Sequence, residues 1–136
     1  MKRLFAIFAL VSTSLVVSPL ARSADYIIDI EGMHAAIQFR IKHLGFSWLV
    51  GNFNEFDGHF SFESDRPVEA SVAVTINPAS IDSNHAQRDK HLRGEDFLYV
   101  EKYPEASFTS TRVEATGPDA FTIIGDLTLR GVTREV

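Results

Sequence analysis

The sequence predicts an all-β fold, an antiparallel barrel or sandwich, and three observations predict it. Apolar and polar residues alternate with a period of two over several short segments. Turn-forming residues separate those segments, and a single charged stretch, Asn84 to Arg93, breaks the alternation. Successive strand side chains point to opposite faces, so period-2 patterning marks a half-buried strand. Short strands separated by turn chemistry pair as antiparallel neighbours. The chain has no cysteine, so its core must stabilise it without disulfides.

Residues 1–23 read as an export signal and not as part of the fold. Lys2 and Arg3 precede an apolar run from Leu4 to Val17, and Ala21-Arg22-Ser23 offers small residues at the positions a signal peptidase reads. Cleavage after Ser23 would leave a mature domain of residues 24–136 with no integral membrane span. The apolar run is short for a membrane span of about 20 residues. Without the three basic residues Lys2, Arg3 and Arg22, the formal net charge of −5 becomes −8. An acidic surface argues against nucleic acid or anionic headgroups as the main partner. It suits an exported protein, for which the periplasm is the natural address.

The elements follow in order. Tyr26 to Ile30 starts the first strand and Gly32 marks a turn. From His34 to His43, Ala35, Ile37, Phe39 and Ile41 share one face, opposite Gln38, Arg40 and Lys42. Phe56, Gly58, Phe60 and Phe62 repeat the pattern, as do Ala70, Val72, Val74 and Ile76. Asn84 to Arg93 is the one helix expected, with Asn84 as its cap, Gln87 three residues on, and Gly94 at its end. Phe97 and Leu98 should fold back onto the body before Pro104. Ala106 to Val113 and Phe121 to Arg130 are the last strand patterns, joined by Thr116-Gly117-Pro118-Asp119. The final residues, from Gly131, begin a further strand after a turn signal. About six strands result, so Val136 is expected to be a truncation point that leaves residues 121–130 as an unpaired edge.

Large residues sit beside small ones on the apolar faces. Nine phenylalanines lie beyond residue 23, near Ala35, Gly58, Ala70 and Gly125. The pattern fits a close-packed interior and equally a wall curving around an apolar ligand.

No motif carries catalysis or a metal. His85 and His91, six apart, lie about 120° from each other on a helix and cannot share an ion. His34 and His43 are expected on opposite faces of one strand, and no HxH or HExxH pattern occurs. There is no GxSxG turn for a nucleophile. Asp82, Asp89, Glu95 and Asp96 stand among Arg88, Lys90 and Arg93, which points to ion pairs and not to a catalytic carboxylate pair. The cluster Asp82, Asn84, His85, Arg88, Asp89 and His91 is expected to brace one mouth of the fold, or to meet the polar end of a ligand there. Trp48 and Tyr26 are amphipathic and suit either a rim or the core.

Three blocks, HLGFSWLVGNFNEFDGHFSF, SIDSNHAQRDKHLRGEDFLYVEKYPEASFTST and GDLTLRGVTREV, resemble the YceI-like family in order and spacing. The likeness runs from Asp25 to Val136, and RDKHLRGEDFL followed by YPEASFTST is its most specific part. The resemblance implies an antiparallel, lipocalin-like β-barrel of eight strands, of which about six are present, with one short helix-containing connection. Members usually continue for some fifty residues more. It further implies an exported protein that binds a long isoprenoid-type or fatty-chain lipid, with no cofactor and no catalytic residue. The oligomeric state is left open, a dimer included. An alternative is a non-enzymatic envelope stress or interaction protein with a filled barrel. Alternation nominates the wall positions Phe39, Ile41, Phe56, Phe60, Val72, Val74, Phe108, Phe121 and Leu127 for the lipid.

Overall fold

A computed structural model describes residues 24–32 and 34–136. The signal-peptide expectation for residues 1–23 lies outside the described residues. In chain order the strands are β1 (Ala24–Ile27), β2 (Ile37–His43), β3 (Ser47–Phe53), β4 (Phe56–Phe62), β5 (Ser71–Ile76) and β6 (Ile81–Asp82). The helix α1 (Ala86–Arg93) then precedes β7 (Ala106–Gly117), β8 (Ala120–Leu129) and β9 (Val132–Glu135). All pairings are antiparallel. Six strands form one sheet in the order β1-β4-β5-β7-β8-β9, and β2-β3-β6 form a second.

The predicted antiparallel β class with one helix is what the chain forms, and the differences are local. Nine strands are present among the described residues instead of about six. The missed β3, SWLVGNF, has consecutive apolar residues in Trp48, Leu49 and Val50, which hide its alternation. β2 begins at Ile37, so His34 precedes the strand and its ring instead meets Asp29 Oδ2 at 2.9 Å. Residues 121–130 are not a bare edge, because β9 pairs with Asp126 to Leu129. The Gly125 N–H also donates to the Val136 carbonyl at 3.0 Å.

Turn chemistry explains the hairpins. Arg130 and Gly131, between β8 and β9, both have positive φ, 52° and 71°. Two left-handed residues are what a two-residue hairpin requires to match strand twist. Pro118-Asp119 closes β7 onto β8 with Gly117 opposite Ala120.

A bulge in β7 solves a parity problem. Ala106, Phe108 and Ser110 share a face, and strict alternation would turn Val113 away from it. The register shifts between Ser110 and Arg112, so that Val113 stands opposite Ile123 and Ala115 opposite Phe121. One extra residue thus returns the apolar positions of β7 to one face. Cross-strand partners project to the same side. Phe60 is opposite Val72, Val74 opposite Phe108, and Phe108 opposite Leu127. Phe56 and Phe121 fall on that face by their even spacing from Phe60 and Leu127. Seven nominated wall residues therefore line one face of the six-stranded sheet. Phe39 and Ile41 lie on the other sheet, opposite Gly51 and Leu49.

Candidate functional site

The two apolar faces meet over a cavity of about 430 Å³. Phe39, Ile41, Phe53 and Ile81 line it from the three-stranded sheet, and Leu129 from the six-stranded one. Leu92 of α1 and the following Phe97 and Leu98 complete the apolar lining, and Asp96 and Arg130 are its charged residues. A second cavity of about 420 Å³ is lined by Ile30, Ala35, Ala36, Ile37, Asn52, Phe53, Asn54 and Phe56. Phe53 belongs to the lining of both. Each volume suits an organic ligand of roughly 300–1,000 Å³ sites.

Glycines shape this space. The Phe39 ring lies against Gly51, where any Cβ would collide with it. On the other sheet the Phe108 ring lies over Gly125, with its Cζ 2.6 Å from where a Cβ would stand. Each ring thus occupies the space that a side chain at the facing glycine would need. The Phe39 and Phe53 rings are 5.6 Å apart and tilted. Few apolar side chains are fully buried: Ile81, Ala106, Val113 and Pro78. Phe39, Phe53 and Phe97 line the first cavity and Phe53 and Phe56 the second, while the nominated Phe60, Val72, Val74, Phe108, Phe121 and Leu127 line neither.

Beside the cavity lies a polar brace centred on Ser83, a residue not singled out from the sequence. Ser83 is 3% exposed and Asp89 7%. The Asp89 Oδ1 accepts from the Ser83 N–H at 2.9 Å and also from the Ser83 hydroxyl. Arg88 donates Nε to Ser83 Oγ at 2.7 Å and Nη2 to the Ser83 carbonyl at 2.5 Å. Arg93 reaches the Ile81 carbonyl at 3.2 Å. Hydrogen bonds from Ser83, foremost its hydroxyl, hold the Asp89 carboxyl below the usual carboxylate range. Every buried group in this cluster has a partner, as burial of polar atoms demands.

The six nominated polar residues therefore divide. Asp82, Asn84, Arg88 and Asp89 serve the brace, and none of the six lines either cavity. The helix cap is His85, not Asn84: His85 Nδ1 accepts from the Arg88 N–H at 3.2 Å. Asn84 has φ 63°, and its N–H goes to Asp82 Oδ1 at 2.8 Å. Asn84 thus makes the turn before the helix, which moves the cap by one residue. His91 stands 3.5 Å from Asp96 Oδ2 and edge-on to Phe97 at 4.9 Å, so it touches two cavity residues from behind. Arg88 and Arg93 bind Ser83 and backbone carbonyls where ion pairs with neighbouring carboxylates were expected. A lone serine between Asp82 and Asn84, ahead of a helix bearing Asp89, was the available signal for Ser83. Tyr26 stacks on Phe60 at 4.9 Å, and Trp48 takes Arg40 over its ring at 4.7 Å.

Among the described residues, no group of three His, Cys, Asp or Glu could hold a metal ion. No described helix is long and apolar enough to cross a membrane.

Comparison with known proteins decides the family, since the YceI-like domain matches residues 28–136. The chain belongs to the YceI-like domain family. It is 58% identical over 116 residues to a UPF0312 protein of Yersinia pestis (strain Pestoides F), covering 85% of this chain and 60% of that relative. The chain thus spans about three-fifths of that relative's length. Among solved structures, it is similar to the Campylobacter jejuni YceI protein at 32% identity and TM-score 0.62, over 82% of this chain and 64% of that one. A polyisoprenoid binding domain from Saccharophagus degradans shares the fold at 15% identity and TM-score 0.57, over 85% and 64% of the two chains. These neighbours place the YceI-like chain among lipocalin-like antiparallel β folds.

Proposed function

We propose that this YceI-like protein is an exported lipid-binding protein that holds a long isoprenoid-type chain between its two sheets. The observation that carries this reading is the apolar space lined by Phe39, Ile41, Phe53, Leu129 and their neighbours, with Asp96 and Arg130 as its charged lining. Moving a methylene from water into such a space is worth about 0.8 kcal/mol, so a chain of roughly twenty carbons contributes on the order of 10 kcal/mol gross. Ordering the chain takes back much of that gain. Binding should be limited by chain length and weakly selective for the headgroup. The polyisoprenoid-binding description of the Saccharophagus degradans domain supports the same ligand class.

Asp96 and Arg130 are suited to meet the polar end. Arg130 donates Nη2 to the Glu95 carbonyl at 2.7 Å, which fixes its guanidinium beside the cavity. Burial of the remaining ligand needs no catalytic group, and the role is binding without turnover. Residues 1–23 fit export to the periplasm, where a lipid with a long apolar chain needs shelter from water.

Native mass spectrometry with lipid extraction, on protein secreted with its own residues 1–23, tests the reading. A discrete bound species in the isoprenoid mass range is expected. A clean ligand-free mass, unchanged after incubation with isoprenoid quinones and polyprenols, would mean a filled interior and end the proposal.

A further inference from the structure

The hairpin of β2 and β3 ends in apolar residues that the fold leaves in the open. Phe46 is 94% exposed and Leu44 78%. Leu44 has φ 51°, a left-handed conformation that a bulky side chain rarely adopts. A Cβ added to Gly45, between them, would meet no atom within 4 Å, so the tip stands clear of the body. Trp48 follows on the outer face of the hairpin, half exposed, with the Arg40 guanidinium 4.7 Å over its ring and Lys42 opposite it.

Charge singles out the same element. The chain carries 18 acidic and 13 basic residues, yet the hairpin Ile37–Phe53 contains Arg40 and Lys42 and no acidic residue. An apolar tip backed by an indole and two cations matches the layers of a bilayer surface. Leucine and phenylalanine suit the acyl boundary, tryptophan the headgroup level, and cations the anionic phosphates. The acidic remainder of the protein is repelled by that surface, which would orient the hairpin toward it.

We propose that the β2–β3 hairpin docks the protein on anionic lipid bilayers by inserting Leu44 and Phe46. The consequence for function rests on the lipid-holding reading. Ile41 lines the cavity from the same strand, and Leu44 is about 10 Å further along it at strand rise. Insertion of the tip would bring the cavity's Phe39–Ile41 wall to the membrane surface, where a chain could pass without crossing water.

Trp48 is the single tryptophan of the chain, so its fluorescence reports directly on docking. Vesicles of phosphatidylcholine with phosphatidylglycerol should shift its emission to the blue, and brominated acyl chains should quench it. The double variant Leu44→Asn/Phe46→Ser should partition about tenfold more weakly. Arg40→Glu/Lys42→Glu should abolish the preference for anionic over neutral vesicles. Circular dichroism matching that of the parent confirms that the variants fold. Emission indifferent to vesicles would overturn the proposal. So would a Leu44→Asn/Phe46→Ser variant that turns an oligomer into a monomer while vesicle partition persists, which would make the tip a contact between two copies. Native mass spectrometry on the same samples separates the two readings. Retained lipid without vesicle partition ends the docking proposal alone, and vesicle partition without any retained lipid ends the lipid-holding one.

Discussion

Ser83 and Asp89, at 3% and 7% exposed, are among the most buried residues described, while Phe46 and Leu44, at 94% and 78%, are among the most exposed. The brace region and the hairpin tip thus invert the usual relation between polarity and burial. In the brace, each polar atom that leaves water gains a partner: Asp89 takes two bonds from Ser83, and Ser83 takes two from Arg88. Burial there is tolerated because no hydrogen bond is lost. At the tip, ladder pairing runs up to His43 and Ser47 and the Phe46 N–H donates to the His43 carbonyl, while the Leu44 and Phe46 side chains stay largely in solvent. The contrast shows a rigid polar pin at one side of the apolar space and an apolar projection at the other. Stability should concentrate in the first and ligand or surface contact in the second.

Substitutions can break that division. Ile81→Ala should have the largest effect, because Ile81 is buried where the brace meets Phe53 and the cavity. A loss of about 2–5 kcal/mol in urea denaturation is expected. A loss below 1 kcal/mol would mean that the brace is not the stable part.

Acid should act next, through Asp89. Its folded pKa lies below the ordinary 3.8, so its stabilisation is present above that value and is lost as the pH falls through the lowered folded one. The denaturation midpoint of the parent should fall more steeply below about pH 4 than that of Asp89→Asn, which should start lower at neutral pH. Parallel curves would remove the carboxylate from the account.

Ile41→Glu then separates binding from folding. Ile41 is exposed at 56% yet lines the cavity, so stability should change by only about 0.5 kcal/mol. Retained lipid, read by native mass spectrometry, should nevertheless fall sharply. The smallest effect is expected from Leu44→Asn alone. Asparagine accepts the left-handed backbone that leucine resists, so thermal stability should hold or rise slightly while vesicle partition weakens.

The wall positions and the polar cluster were not equally legible. Phe56, Phe60, Val72, Val74, Phe108 and Leu127 declare themselves by alternation, because strand parity is a local property of consecutive residues. Phe121 joins them by its even spacing from Leu127 on β8, whereas Val113 and Ala115 reach that face only because a bulge after Ser110 resets the parity of β7. Trp48 and Val50 concealed β3, since their outward apolar side chains erase the contrast between faces. The polar cluster was visible as a cluster, but its centre was not. Ser83 is one small residue among stronger charges, and only the fold of the chain between β6 and α1 brings Asp89 back onto it.

By itself, then, the sequence determined the antiparallel β class, a helix within residues 84–93, the turn at Pro118-Asp119 and the YceI-like kinship. Each rests on short-range periodicity, turn chemistry or contiguous motif. Tertiary structure alone decided that β2, β3 and β6 form a separate sheet. It also decided that Phe39 and Ile41 face Leu129 across a cavity, and that Leu44 and Phe46 remain outside. Which strands share hydrogen bonds, and which apolar faces oppose each other, depends on pairings between residues far apart in the chain. A local pattern of two cannot specify those pairings.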